Sequence, residues 1–195
     1  MFNGIIFNTG KVISIKKNTD SVLICVETKL KFSQRDLGSS VCCDGICLTI
    51  IKVKGKNINF YISKETLKRS NFKSIKINQI INIEKSLLYG QKISGHFTQG
   101  HVDTVAKVKK IIFQDKTWLI SLKIKKEEFS KFIVEKASIS INGVSLTISR
   151  VFKSNFEINV IPHTLNLTNL KNLKINNTVN VELDIFSKYM YKYSN

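Results

Sequence analysis

Asp44-Gly45-Ile46-Cys47-Leu48-Thr49-Ile50 is written again, ninety-eight positions later, as Asn142-Gly143-Val144-Ser145-Leu146-Thr147-Ile148. In each copy a small polar residue and a glycine form the two-residue signature of a tight hairpin. An alternation of apolar and polar side chains follows. A strand sends successive side chains to opposite faces, so Cys47 and Thr49 share one face, and Ser145 and Thr147 share its counterpart. The pointed chemical difference is a thiol in the first copy against a hydroxyl in the second.

The repeat extends outward from this stretch. The 98-residue offset holds over Ser40–Ile50 and Tyr61–Glu84, and 9 of 24 positions are identical between Tyr61–Glu84 and Asn159–Glu182. At the start of each half the offset is 96: Gly4/Gly100, Lys11/Lys107, Val12/Val108. The second copy has therefore gained two residues, near Asp115 or within Lys125–Phe132. A repeat this long is a duplicated domain rather than a solenoid unit. Tyr89-Gly90 and Ser94-Gly95 break the pattern between copies, which divides the chain into residues 1–95 and 96–184, with 185–195 left over.

Within the first copy, residues 4–17, Ser21–Glu27, Ser39–Ile51, Ile58–Ser63 and Gln79–Glu84 read as strands. Asn18-Thr19-Asp20, Asp44-Gly45 and Lys54-Gly55-Lys56-Asn57 supply the turns. Lys31–Leu37 reads as loop or a short helical turn, and Lys64–Asn71 as a short helix or loop. Short strands at about ten-residue spacing predict a small antiparallel barrel or sandwich in each half. In the tail, Ile185, Phe186, Tyr189, Met190 and Tyr193 form a helical stripe. So short a helix needs a docking surface, either its own domain or a neighbouring subunit.

The 195 residues carry a net charge of +17, almost all of it from 28 lysines against 3 arginines. The lysines are spread along the chain without aromatics interleaved on one strand face, so nucleic-acid binding is not expected. No apolar run is long enough for a membrane span, and the first residues lack the pattern of a secretion signal. A cytoplasmic protein without membrane association is the expectation. Cys25, Cys42, Cys43 and Cys47 lack zinc-ligand spacing; Cys25 and one of Cys42/Cys43 read as small buried hydrophobes. Trp118 reads as core. Ser145 lacks a hydrolase elbow, and nothing local to Cys47 activates it as a nucleophile. His96 and His101, at i and i+5 on an extended chain, point to opposite faces and make a poor metal pair. They do lie at the junction of the two copies, where clefts form. Two equivalent faces, each with a thiol or hydroxyl followed by a threonine, suit two copies of one ligand.

Met1-Phe2-x-Gly4-Ile5, Gly45-x-Cys47-Leu48-Thr49, Glu65-Thr66-Leu67, Gly95-His96-Phe97-x-Gln99-Gly100-His101-Val102-Asp103, Asn142-Gly143-x-Ser145-Leu146-Thr147, Ile161-Pro162-His163-Thr164-Leu165 and Val179-Asn180-x-Glu182-x-Asp184 occur in this order. Together with the duplication, they resemble the riboflavin synthase family over nearly the whole chain. The resemblance implies an all-β fold of two tandem six-stranded antiparallel Greek-key barrels and a short C-terminal helix that assembles a homotrimer. It implies a transferase that moves a four-carbon unit between two molecules of 6,7-dimethyl-8-ribityllumazine. The products are riboflavin and 5-amino-6-(D-ribitylamino)uracil, and neither metal nor cofactor takes part. It also implies a site shared by the N-terminal barrel of one subunit and the C-terminal barrel of its neighbour, and possible association with lumazine synthase. Carried over by motif, Cys47 and Ser145 contact the two rings. His101 becomes the candidate for proton transfer, since imidazole exchanges protons near neutral pH. Ser40, Thr49, Thr66, Thr147 and Thr164 become hydrogen-bonding partners of ring or ribityl chain. Lys136 and Ile161 fall near the ligand, and Asp184 near ligand and subunit contact. Phe2, His96 and His163 are expected to be structural or supporting. A non-catalytic lumazine- or flavin-binding protein of the same fold is the alternative, though such relatives tend to lose the second-barrel residues retained here.

Overall fold

The computed structural model describes residues 1–153 and 155–194. The first half forms β1 (Asn8–Lys17), β2 (Ser21–Thr28), β3 (Ser40–Cys43), β4 (Ile46–Lys54), β5 (Asn57–Ser63), helix α1 (Lys64–Arg69) and β6 (Ile80–Lys85). The second forms β7 (Thr104–Gln114), β8 (Thr117–Ile124), β9 (Ser138–Ile141), β10 (Val144–Phe152), β11 (Asn155–Val160), α2 (Pro162–Leu167), β12 (Thr178–Leu183) and terminal helix α3 (Ile185–Ser194). Each set of six strands closes into an antiparallel barrel, in the order β1-β2-β5-β4-β3-β6 and the matching β7-β8-β11-β10-β9-β12. Inward positions are apolar at every second residue. Val12, Ile24, Ile50, Phe60 and Ile81 fill the first barrel, and Val108, Ile120, Ile148, Ile158 and Val179 the second. Each such side chain contributes about 1.5–3 kcal/mol by leaving water.

The tight turn predicted at Asp44-Gly45 has left-handed dihedrals at both residues (φ 47° and 81°), and Asn142-Gly143 repeats them (47° and 80°). The two turns meet face to face: a β-carbon on Gly45 would lie 2.8 Å from the Gly143 nitrogen, and one on Gly143 would lie 2.8 Å from the Gly45 nitrogen. A pseudo-twofold axis therefore runs between these glycines. Around it the amides pair in duplicate. The Asn82 side-chain NH2 donates to the Asn142 carbonyl (2.9 Å), and that of Asn180 donates to the Asp44 carbonyl (2.8 Å). The backbone N–H of Asn169 donates to Asn82 Oδ1, and that of Asn71 to Asn180 Oδ1, both at 2.7 Å.

Several expectations are refined. The first strand begins at Asn8, not residue 4, because residues 2–4 leave the sheet: Phe2 pairs with Thr98, and the Gly4 carbonyl accepts from Ser145. β2 and β8 keep the 96-residue offset, whereas β3 and β9 are 98 apart. The two extra residues therefore lie between Ile124 and Ser138, which favours Lys125–Phe132 over Asp115. Cys42 and Cys43 are both buried, while Cys25 is half-exposed. Cys43 points into the first barrel, and Cys42 faces the second, its sulfur 3.3 Å from where a Gly143 β-carbon would stand. Trp118 is half-buried at the barrel rim, edge-on to Phe113. Helix α3 docks on its own chain through Tyr191 against Phe132, Phe186 against Phe97, and a Lys188–Asp103 ion pair at 2.9 Å. Phe186, Tyr189, Met190 and Tyr193 still face outward. Asn195, the last residue of the predicted tail, lies outside the described residues. Among the described residues no helix is long and apolar enough to cross a membrane.

Candidate functional site

Cys47 and Thr49 on β4, and Ser145 and Thr147 on β10, project from the outer face of their barrels, because Ile46, Leu48 and Ile50, like Val144 and Ile148, turn inward. Each reactive side chain sits where a glycine from a crossing segment leaves room for it. The Gly100 carbonyl accepts from the Cys47 N–H at 2.8 Å, and the Gly4 carbonyl accepts from the Ser145 N–H at 2.8 Å. A β-carbon on either glycine would stand 2.7 Å from the β-carbon it faces, and both glycines hold positive φ (76° and 72°). Only glycine occupies such a place without strain.

Two carboxylates, half-buried Glu84 and buried Glu182, hold the crossing segments. Glu84 accepts from the backbone N–H groups of Asn3 (2.8 Å) and Gly4 (3.1 Å), and Glu182 accepts from Gln99 (2.6 Å) and Gly100 (2.9 Å). The arms cross over. Residues 3–4, pinned to the first barrel, complete the Ser145 wall of the second, and residues 99–100, pinned to the second, complete the Cys47 wall of the first. Burial pushes the Glu84 carboxyl up to about 7 against the downward pull of its backbone donors, and it raises Glu182 in the same way.

The Cys47 wall opens onto a cleft of about 330 Å³ that also includes Ile46, Thr66, Gly100, His101 and Val102. Thr66 comes from α1, whose N-cap Ser63 accepts from the Thr66 N–H and whose hydroxyl bonds the Thr66 hydroxyl at 3.0 Å. The equivalent α2 begins on Pro162 instead, with half-buried Thr164 in Thr66's place and exposed Ile161 at its N-cap. Ser40 pairs with Thr49 across β3 and β4 but lines a separate cleft of about 430 Å³, beside Phe32, Glu84 and Leu87. Lys136 is exposed on the turn before β9, with φ 69°. Asp184 caps α3, its Oδ1 accepting from the Phe186 N–H at 2.9 Å.

His96 supports the Ser145 wall directly. Its Nδ1 lies 2.7 Å from the Ser145 hydroxyl, and its Nε2 is buried without a partner among the described residues. Burial holds its pKa below the usual imidazole range, partly offset by the nearby Asp184 carboxylate. The ring is therefore neutral at neutral pH and can accept the Ser145 proton. Asn3 Oδ1 fixes the loop that carries it, accepting from the Ser94 and Gly95 N–H groups at 2.8 Å each. Gly95 is required there, since a β-carbon would stand 2.1 Å from the Asn3 carbonyl. The one signal in the sequence was that glycine directly before the histidine. His101 is exposed in the Cys47 cleft, and His163 is exposed on α2. Each wall thus carries one imidazole, reached by a different route.

The lumazine binding domain family matches this chain twice, over residues 3–86 and 99–184. Riboflavin synthase of Photobacterium leiognathi is 36% identical over 194 residues, covering 98% of this chain and 88% of that protein. Riboflavin synthase of Escherichia coli strain K12 is 33% identical over 185 residues, covering 94% and 87% respectively. The crystal structure of LumP complexed with riboflavin superposes with a TM-score of 0.83 at 26% identity, covering 94% of this chain and 99% of that one. Two lumazine-binding domains, each with its clipped wall and joined across a pseudo-twofold axis, and kinship with riboflavin synthases along almost the entire length place this chain, an enzyme, in the riboflavin synthase family.

Proposed function

We propose that the enzyme joins two molecules of 6,7-dimethyl-8-ribityllumazine, transferring a four-carbon unit to give riboflavin and 5-amino-6-(D-ribitylamino)uracil. The observation that carries this reading is the twinned wall: Cys47-x-Thr49 and Ser145-x-Thr147, each clipped by a glycine carbonyl of a crossing arm. Two equivalent walls hold two like molecules, and the difference between thiol and hydroxyl gives them unlike surroundings. A neighbouring subunit supplies the wall that completes a stacked pair. On this reading residues 1–95 and 96–184 are the two binding domains, and a homotrimer is the working form.

The ring-methyl proton of the lumazine is acidic because its carbanion spreads into the electron-poor pteridine. His101 beside Cys47, and the His96–Ser145 pair, are the groups placed to move it. Thr49, Thr66, Thr147 and Thr164 hold ring and ribityl oxygens, Ser40, Lys136, Ile161 and Asp184 border the ligand, and fixed orientation supplies much of the rate. The test is to mix the protein with 6,7-dimethyl-8-ribityllumazine and follow riboflavin formation. Turnover is expected; tight binding without turnover favours a flavin-binding protein of the same fold. Cys47→Ser and His101→Ala are each expected to slow turnover about 10- to 100-fold with the fold intact by circular dichroism.

A further inference from the structure

Three of the four cysteines lie on the β3–β4 hairpin, and their places on it differ. Cys43 turns into the first barrel with Ile46, while Cys42 on β3 and Cys47 on β4 share the outer face and stand directly opposite each other in register. The hairpin closes on the pair Cys43–Ile46, and the Cys47 N–H leaves the sheet to donate to the Gly100 carbonyl at 2.8 Å. Cys42 and Cys47 are therefore a non-hydrogen-bonded pair, whose α-carbons in an antiparallel sheet lie about 4.5 Å apart. A disulfide spans α-carbons from about 4.4 to 6.8 Å apart. Both thiols are free; Cys42 is buried, and Cys47 is half-exposed at its cleft. The Cys42 sulfur packs against Gly143, so closing the bond takes rotation about side-chain bonds within the existing register. The duplication supplies the comparison. The register partners at the matching places are Ser140 and Ser145. Both members of the pair differ between the copies together: thiol faces thiol in one, and hydroxyl faces hydroxyl in the other. Packing alone asks only for a small side chain at position 42, as Ser140 shows.

From this pairing we infer that Cys42 and Cys47 form a reversible disulfide when the protein meets hydrogen peroxide, and that the bond closes the first wall. Cys47 reaches solvent through its cleft, and His101 lines the same cleft to take the thiol proton. The peroxide transfers one oxygen to the Cys47 sulfur, giving a sulfenic acid and a water. The Cys42 sulfur then attacks the Cys47 sulfur. The S–S bond forms as the S–O bond breaks, and the Cys42 proton leaves with the hydroxide as a second water. The two sulfurs together lose two electrons, and the peroxide O–O bond takes both. An added dithiol returns the pair to thiols by exchange and is itself oxidised. Burial pushes the Cys42 thiol well above its ordinary range, so it keeps its proton at rest and half-exposed Cys47 reacts first. In the disulfide the Cys47 sulfur is drawn from the cleft toward β3, and its S–H is gone. The second wall has no such device, since its serines do not oxidise. The bond rests on the hairpin geometry alone; its effect on turnover rests on the proposed function.

Hydrogen peroxide titration of the intact protein, followed by thiol blocking, digestion with a protease that cuts before aspartate, and mass spectrometry, tests it. Cleavage before Asp44 separates Cys42 from Cys47, so the disulfide is read as two peptides held together and released by dithiothreitol. The oxidised protein should carry this link and turn lumazine over about 10- to 100-fold more slowly, as expected for Cys47→Ser, with the rate restored by dithiothreitol. Cys42→Ser, which copies Ser140, and Cys42→Ala should each keep the untreated rate and form no link. Cys43→Ala should still form it. Absence of the link in the unsubstituted protein, or its persistence in the Cys42 variants, overturns the pair. A link that forms while turnover stays unchanged overturns closure of the wall. A protein that forms the link but converts no lumazine, oxidised or reduced, overturns the proposed function and leaves the pair standing.

Discussion

At the scale of single residues, the two histidines at the domain junction differ in their surroundings. His96 is held neutral by burial against Ser145, while His101 stands exposed beside Cys47. If the His96–Ser145 pair handles the proton, the acid limb of the rate profile lies below the ordinary imidazole range, and His96→Ala removes that limb while lowering turnover about 100-fold. A pH–rate series on both proteins checks this; an unchanged acid limb assigns His96 to scaffolding. Asp44 is the second telling residue. It sits on the pseudo-twofold axis opposite Asn142, with Oδ1 accepting from Asn82 and Asn169 and Oδ2 buried without a partner among the described residues. Burial pushes its carboxyl up to about 7 from an ordinary 3.8. Between those values the folded chain binds the proton that the unfolded chain has released, so stability falls as pH rises toward 7 and above. Asp44→Asn, copying the other half, should therefore stabilise at pH 8 by on the order of 1–3 kcal/mol and gain much less near pH 5. Urea denaturation at the two pH values measures it, and an equal gain at both would point to packing instead of charge.

At the scale of elements, the crossing arms are what the sequence concealed. The strands, the Asp44-Gly45 turn and the duplicated core could all be read from periodicity, because alternation states directly which side chains turn inward. Residues 4–6 alternate just as well as a strand does. Only the bonds from Glu84 to the Asn3 and Gly4 N–H groups show that this segment serves the other barrel. A carboxylate 80 residues distant leaves no local trace. The His96–Ser145 contact was hidden for the same reason, since the two residues lie 49 positions apart. Cys47, Thr66 and His101 come together in one cleft, whereas Ser40, chosen on its match to the family, lines another. Two substitutions test the arms. Glu84→Gln replaces one acceptor with a donor facing an N–H, and should cost about 2–3 kcal/mol while lowering turnover through the distant Ser145 wall. Gly100→Ala forces a side chain onto Cys47 at positive φ. It should cost about 1–3 kcal/mol and depress turnover beyond what the stability loss explains. Calorimetry alongside steady-state rates separates the two effects.

At the scale of the whole molecule, α3 is anchored to its own chain by Lys188–Asp103 and Phe132–Tyr191, yet it leaves Phe186, Tyr189, Met190 and Tyr193 turned outward. Both readings of the tail thus have a physical footing: one face packs at home and the other is open to a neighbour. If a neighbouring subunit supplies the facing wall, a variant ending at Asp184 should sediment as a monomer and lose turnover. A monomeric full-length protein with full turnover would remove the shared site from consideration.

The exchange of arms across the Gly45–Gly143 axis also speaks to ancestry. A single barrel whose arm completes its twin's wall, and whose own wall waits on the twin's arm, is one half of a symmetric dimer. Joining the halves in one chain preserves that reciprocity and removes a constraint. In a dimer of identical barrels every substitution is made twice, once on each side of the axis; after fusion it is made once. Cys47 against Ser145, Asp44 against Asn142 and Lys68 against Asn166 are differences that no homodimer can hold. The two halves still share their architecture, but each has been free to acquire its own chemistry.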